Sequence, residues 1–104
     1  MISLLKSIFG IGPSIDIKQE INNGAVIVDV RTKGEYSGGH ISGSINIPLD
    51  ELDSRSKKLS KNKMIITCCA SGMRSSAAKS LLRKKGFEKV HNGGGWYSLQ
   101  QKIQ

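Results

Sequence analysis

Ala25-Val26-Ile27-Val28-Asp29-Val30 is a continuous, mostly β-branched run interrupted by one carboxylate. A segment that is apolar at nearly every position, rather than at alternate ones, needs cover on both faces, which is the signature of a strand inside a parallel sheet. A second such run, Met64-Ile65-Ile66-Thr67-Cys68, leads into Cys69 and the small-residue loop Ala70-Ser71-Gly72. Helical patterns alternate with these runs. Leu49 to Leu59 is polar and charge-rich with Leu49, Leu52 and Leu59 facing inward. Residues 75 to 85 put Ala77, Ala78, Leu81 and Leu82 on one face and Lys79, Arg83, Lys84 and Lys85 largely on the other, with Gly86 as the stop. No hairpin signal joins any two strands, so an α/β domain with a parallel sheet covered on both faces is expected.

The remaining segments fit between these. Ser14 to Ile17 reads as a short strand before a helix that Asp16 or a neighbour opens and that runs through Ile21, and Asn22-Asn23-Gly24 is a turn. Arg31 to Tyr36 reads as one helical turn, Ser37 to Gly43 as a loop, and Ser44-Ile45-Asn46-Ile47 as a short strand closed by Pro48. Residues 87 to 92 give a last strand, Gly93-Gly94-Gly95 a loop, and Trp96 to Ile103 a terminal helix. Residues 1–12 form a short amphipathic helix or extension, apolar at positions 1, 2, 4, 5, 8 and 9, ahead of a domain over 13–104. That segment is too short to cross a bilayer, and Lys6 breaks it with no small-residue cleavage site after it. Packing on the domain or on a second copy is expected there, in preference to membrane contact by residues 1–9.

A net charge of +8 favours anions: a small anionic substrate, an acidic protein partner, nucleic acid or a membrane surface. The lysines at 57, 58, 61 and 63 and the cluster Arg83-Lys84-Lys85 lack interleaved aromatics, so they read as solvated basic surface rather than a nucleic-acid site.

The two cysteines, Cys68 and Cys69, are neighbours in sequence. A disulfide between neighbours is strained, and neither a Cys-x-x-Cys pair nor partners for His40 and His91 suggest a metal, so a buried or a reactive thiol remains. Nothing here requires an oxidising compartment, and a cytoplasmic protein is expected. A thiol at the C-terminal end of a strand, followed by a Gly-containing loop and a helix, lies where backbone N–H groups and the helix dipole stabilise an anion and favour thiolate. Asp29 reads as a catalytic carboxylate or, in preference, a buried anchor paired with Arg31 or His40. His40 reads as a general base or, in preference, a loop-fixing group. Arg31 and Glu35 suggest local ion pairs. Trp96 and Tyr97 either rim the site or pack on the sheet.

Four segments resemble the rhodanese family in its single-domain, thiosulfate sulfurtransferase-like form. They are Val28-Asp29-Val30-Arg31; Glu35-Tyr36-x-x-Gly39-His40-Ile41-x-Gly43-Ser44-Ile45-Asn46-Ile47-Pro48; Cys69-x-Ser71-Gly72-x-Arg74-Ser75; and Gly86-Phe87-x-x-Val90. The resemblance implies a three-layer α/β/α fold around a mostly parallel five-stranded sheet. It implies a sulfurtransferase with no metal and no organic cofactor, which takes a sulfane sulfur from a small anionic donor such as thiosulfate, a polysulfide or a small persulfide. The sulfur is held as a persulfide and passed to a thiol or cyanide-like acceptor. Carried over, Cys69 is the nucleophile and Ala70, Ser71, Gly72, Met73 and Arg74 are the cradle, with Asp29, Arg31 and His40 as possible supports. Ala70 stands where many members carry Arg, and Trp96 follows the glycines at once where a family Trp often comes several residues later. The adjacent thiols leave a second register open. Cys68-x5-Arg74 has the loop length of cysteine phosphatases and arsenate-reductase-like enzymes, one residue longer than Cys69-x4-Arg74. A third possibility is a non-enzymatic persulfide carrier or docking module.

Overall fold

The computed structural model of the protein describes residues 15–104, and the helix expected over residues 1–12 lies outside them. In chain order the elements are α1 (Ile17–Asn22), β1 (Val26–Asp29), α2 (Lys33–Ser37), β2 (Ile45–Asn46), α3 (Leu49–Arg55) with a 3-10 turn at Ser56–Lys58, β3 (Ile65–Cys69), α4 (Met73–Lys84), β4 (Val90–Gly95) and α5 (Trp96–Ile103). The sheet order is β2-β1-β3-β4, and every pairing is parallel. Four strands are found among the described residues where five were expected. Residues 15 and 16 form no strand; Asp16, one of the residues expected to open the helix, caps α1, its carboxylate accepting the Gln19 N–H at 3.2 Å. A side chain that satisfies an otherwise unpaired helix donor wins over a two-residue apolar signal.

The two β-branched runs become the central strands because each is buried on both faces. Along β3 every residue is buried, and the side chains alternate. Ile65 and Cys69 join Val28, Val30, Leu52, Ala78 and Leu82 under α3 and α4, whereas Ile66 and Cys68 join Ile17, Ile27, Ile41 and Leu99 under α1 and α5. The result is three layers, with the strand ends at Asp29 and Cys69 side by side along one edge. Helix α4 starts two residues earlier than expected, so its buried stripe is Ser75, Ala78 and Leu82. Leu81 is half-buried, and Ala77, expected inside, is exposed. Spacings of three and four residues keep 75, 78 and 82 on one face and carry 77 away from it.

The glycine triplet, expected as a loop, completes β4. Thr67 pairs with Asn92 and Cys69 with Gly95, so β4 uses three steps where β3 uses two, a β-bulge that adds one residue to β4. Side chains would prevent this approach: a Cβ on Gly93 would lie 2.9 Å from Ile66 Cγ2, Leu99 Cδ2 and the Thr67 carbonyl oxygen. Gly93→Ala should therefore destabilise the fold by about 1–3 kcal/mol through overpacking, seen as a fall in melting temperature of several degrees. Gly34→Ala, where a Cβ meets nothing within 4 Å, should leave the melting temperature unchanged or slightly higher.

Candidate active site

At the end of β3 the chain leaves Cys69 through Ala70 and Ser71 and reverses at Gly72, whose φ of +109° suits a residue without a Cβ. Helix α4 begins immediately afterwards, so its first turn is brought back against the strand end. The Gly72 N–H lies 2.9 Å from Cys69 Sγ and the Ser75 N–H 3.3 Å, with the Ser75 hydroxyl oxygen at 3.5 Å. Cys69 is only 1% exposed. Burial by itself pushes the Cys69 thiol up, but hydrogen bonds from the Ser75 hydroxyl and from the N–H groups of Ser75, Gly72 and Ser71 outweigh it and bring the thiol below its ordinary value. The N-terminus of a twelve-residue helix acts in the same direction.

Cys68, one residue earlier, points to the opposite face of the sheet and is fully buried. Burial, and then the Asp29 charge, push its thiol up to about 12. The two thiols are thus opposites: one drawn below the ordinary thiol value by donors at a helix start, the other raised far above it in the core.

Of the other candidate residues, Ser71 and Gly72 serve the sulfur, while Ala70 passes beneath β4, where a Cβ on Gly95 would come within 2.9 Å of the Ala70 carbonyl oxygen. Met73 turns outward and is 82% exposed. Arg74 makes a two-pronged pair with Glu35, at 2.7 and 2.9 Å, which ties the first turn of α4 to α2. Glu35 simultaneously completes the capping box of α2 with Thr32, and the Arg74 pair and the Thr32 N–H hold its carboxyl down at about 2. The local pairing expected of Arg31 and Glu35 is replaced by two others. Glu35 reaches across to Arg74, whereas Arg31 chelates Asp29 and meets residue 35 only at its carbonyl oxygen, 3.3 Å away.

Asp29 and Arg31 are both buried, with the guanidinium against both carboxylate oxygens at 2.8–3.0 Å. Arg31 also donates to the Gly39 carbonyl at 2.7 Å and stacks over the Trp96 ring at 4.7 Å. Trp96 therefore packs on this pair, while Tyr97 is exposed. His40 is exposed, stacked on Tyr36 at 3.7 Å, and donates from Nδ1 to the Tyr36 carbonyl at 2.8 Å. Among the described hydrogen bonds none links Asp29, Arg31 or His40 to Cys69. Two participants were not singled out as site residues. Ser75 stands six positions after Cys69 and borders the sulfur. Asn92, on β4, accepts from the Ser75 hydroxyl at 2.7 Å and from the Gly94 N–H at 3.0 Å, and no sequence signal marks it.

Among the described residues no group of three His, Cys, Asp or Glu could hold a metal, and no helix is long and apolar enough to cross a membrane. A cleft of about 530 Å³, lined by Ser56, Lys57, Leu59, Lys61, Lys85 and Phe87, lies by the N-terminal ends of β3 and β4. It is remote from Cys69, and the Ser56 hydroxyl there is spent on the Asp53 carbonyl. The strand ends thus present one buried thiol whose ionisation is favoured by adjacent main-chain donors.

The family model described as Rhodanese-like domain matches residues 15–102. YrkF of Bacillus subtilis, provisionally named a sulfur carrier protein, is 40% identical over 75% of this chain and 40% of its own length. The thiosulfate sulfurtransferase PspE of Escherichia coli is 37% identical over 65% of this chain and 67% of its own. The crystal structure of reduced Bacillus anthracis CoADR-RHD superposes with a TM-score of 0.72 at 40% identity, covering 85% of this chain and 16% of that one. The chain thus spans 40% of one of these proteins and 16% of another.

The Glu35–Arg74 pair has a pH signature. Glu35 is held at about 2 against an ordinary 4.5, so its stabilisation is complete above about pH 4.5 and is lost as pH falls toward 2. Glu35→Gln should lower the melting temperature at pH 7, and the gap to the unmodified protein should close between pH 4.5 and 2 in melts across that range.

Proposed function

Because the chain belongs to the rhodanese-like domain family, we propose that it is a sulfurtransferase working through a persulfide on Cys69. The observation that carries this reading is the Cys69 sulfur itself, within 2.9 and 3.3 Å of two main-chain N–H groups at a helix start. A thiolate held this way needs no general base, in keeping with the outward position of His40. It attacks the outer sulfur of a donor such as thiosulfate. The new S–S bond forms as the donor's S–S bond breaks, and sulfite leaves with the electron pair.

The product, Cys69–S–S⁻, is an anion at neutral pH, and the donors of residues 71 to 75 stabilise it as they stabilise the thiolate. An acceptor thiolate or cyanide then attacks the outer sulfur, takes it away as a persulfide or thiocyanate, and returns Cys69 to its starting state. Ala70, Ser71 and Gly72 leave little side-chain bulk over the loop, so access to the sulfur is limited by the backbone. Arg74 serves as the anchor of the loop through Glu35, and the excess positive charge draws anionic donors or an acidic partner toward the molecule.

A second reading, a carrier that passes sulfur stoichiometrically to a partner, draws support from the likeness to YrkF and requires the same persulfide. Phosphatase chemistry through Cys68 draws none, since that thiol is buried on the other face and pushed up to about 12. Intact-mass analysis after separate incubation with thiosulfate, polysulfide and glutathione persulfide should show a gain of one sulfur, about 32 Da, with at least one donor. Cys69→Ser should abolish the adduct and Cys68→Ser should retain it; the reverse pattern would overturn the assignment. Thiocyanate formation over many turnovers separates the enzyme from the carrier.

A further inference from the structure

Ser75 has one hydroxyl proton, and three atoms compete for it: Asn92 Oδ1 at 2.7 Å, the Gly72 carbonyl oxygen at 3.0 Å and Cys69 Sγ at 3.5 Å. Asn92 cannot present its NH₂ group to Ser75 without losing the Gly94 N–H, which donates to the same Oδ1 at 3.0 Å. The oxygen is therefore the end that faces the hydroxyl. While Cys69 is a neutral thiol, its S–H donates to Ser75 Oγ and the hydroxyl donates onward to Asn92. Once the sulfur is an anion it has no proton to give, and the hydroxyl must swing to it for that bond to form. The swing leaves two oxygens 2.7 Å apart with no proton between them, an arrangement that costs free energy.

We infer that Asn92 is a positioning residue that tunes the acidity of Cys69 through Ser75, by competing with the sulfur for the single hydroxyl proton. The inference rests on Cys69 being the reactive thiol proposed above. It makes Ser75 a two-position donor, parked on Asn92 when the sulfur is neutral and available when the sulfur is charged. Other charges near the sulfur are accounted for. On α4, Arg74 is held by Glu35; on β3, Cys68 stays neutral; on β1, Asp29 is paired with Arg31, which lies beside it. On β4, burial and then the charges of Lys79 and Lys102 hold His91 below its ordinary value, which disfavours its charged form. Removing Asn92 therefore changes no neighbouring charge, only the competition for one proton.

The test is the pH dependence of iodoacetamide alkylation of Cys69, read by intact mass on the full chain. In Asn92→Ala the midpoint should fall by about half a pH unit, an alkylation rate about threefold higher on the acid side of the midpoint. Ser75→Ala should raise the midpoint, and the double variant should match Ser75→Ala alone, because Asn92 acts only through that hydroxyl. General loosening of the nest would instead weaken the donors and raise the midpoint in Asn92→Ala. An unchanged or raised midpoint there, or the same downward shift with Ser75 absent, overturns the inference. Asn92→Asp keeps an acceptor for Gly94 and covers the case in which Asn92→Ala does not fold. It should raise the midpoint, and by less when Ser75 is alanine; an equal rise in both backgrounds overturns the inference. Variants that follow this pattern, with an unmodified chain that accepts sulfur from no donor, support the inference and overturn the proposed function.

Discussion

In the proposed reaction a sulfur atom almost shut off from water carries negative charge, and much of the surrounding geometry suits that requirement. Withdrawal from solvent destabilises a thiolate, so the protein has to replace water with its own donors. The nearest supply is the start of a helix, where N–H groups have no partner within the helix. Bringing that end back onto a strand terminus within three residues calls for a reversal at Gly72. The first turn then lies against β4, whose glycines leave it room. The bulge in β4 adds the residue that lets Asn92 meet Ser75 while Gly95 still pairs with Cys69. Turn, bulge and helix start thus converge on one atom.

A second layer of contacts holds this arrangement in place without touching the sulfur. Asp29 and Arg31 form a fully shielded pair whose remaining donors reach the Gly39 loop and whose flat face meets Trp96. A buried pair of this kind is weak evidence for stability in itself. Its effect here is to join β1, the loop before β2 and the start of α5 along one edge of the sheet. Glu35 and Arg74 join α2 to α4 on the same edge. Charge that in isolation would suggest acid-base chemistry thus serves to position loops, and the Cys69 sulfur is contacted by neutral main-chain and hydroxyl donors.

The central strands, the loop after Cys69 and the long helix were legible in the residues because local patterns dictate them: uninterrupted β-branched runs, a Gly-containing loop at a strand end, and apolar spacing of three and four. Contacts between distant segments were not. Gly93 to Gly95 read as a loop because glycine weakens a strand, and only the close packing of Ile66, Leu99 and the Ala70 carbonyl shows why glycine is needed in one. The partner of Arg74 lies 39 residues away, so Glu35 read as half of a local pair. Asn92 carries no local signal at all, since its role depends on a register shift between strands. At Asp16 the capping carboxylate and its helix were legible, while the short strand read just before it was an over-reading of two apolar residues.

The central claim is that main-chain and hydroxyl donors overcome burial at Cys69, and it is tested most directly by following thiolate absorbance near 240 nm against pH in Cys68→Ser, where only one thiol remains. The account predicts a midpoint clearly below the ordinary thiol value of 9.0. A midpoint at or above that value would mean that burial dominates and that the site is not the anion cradle described.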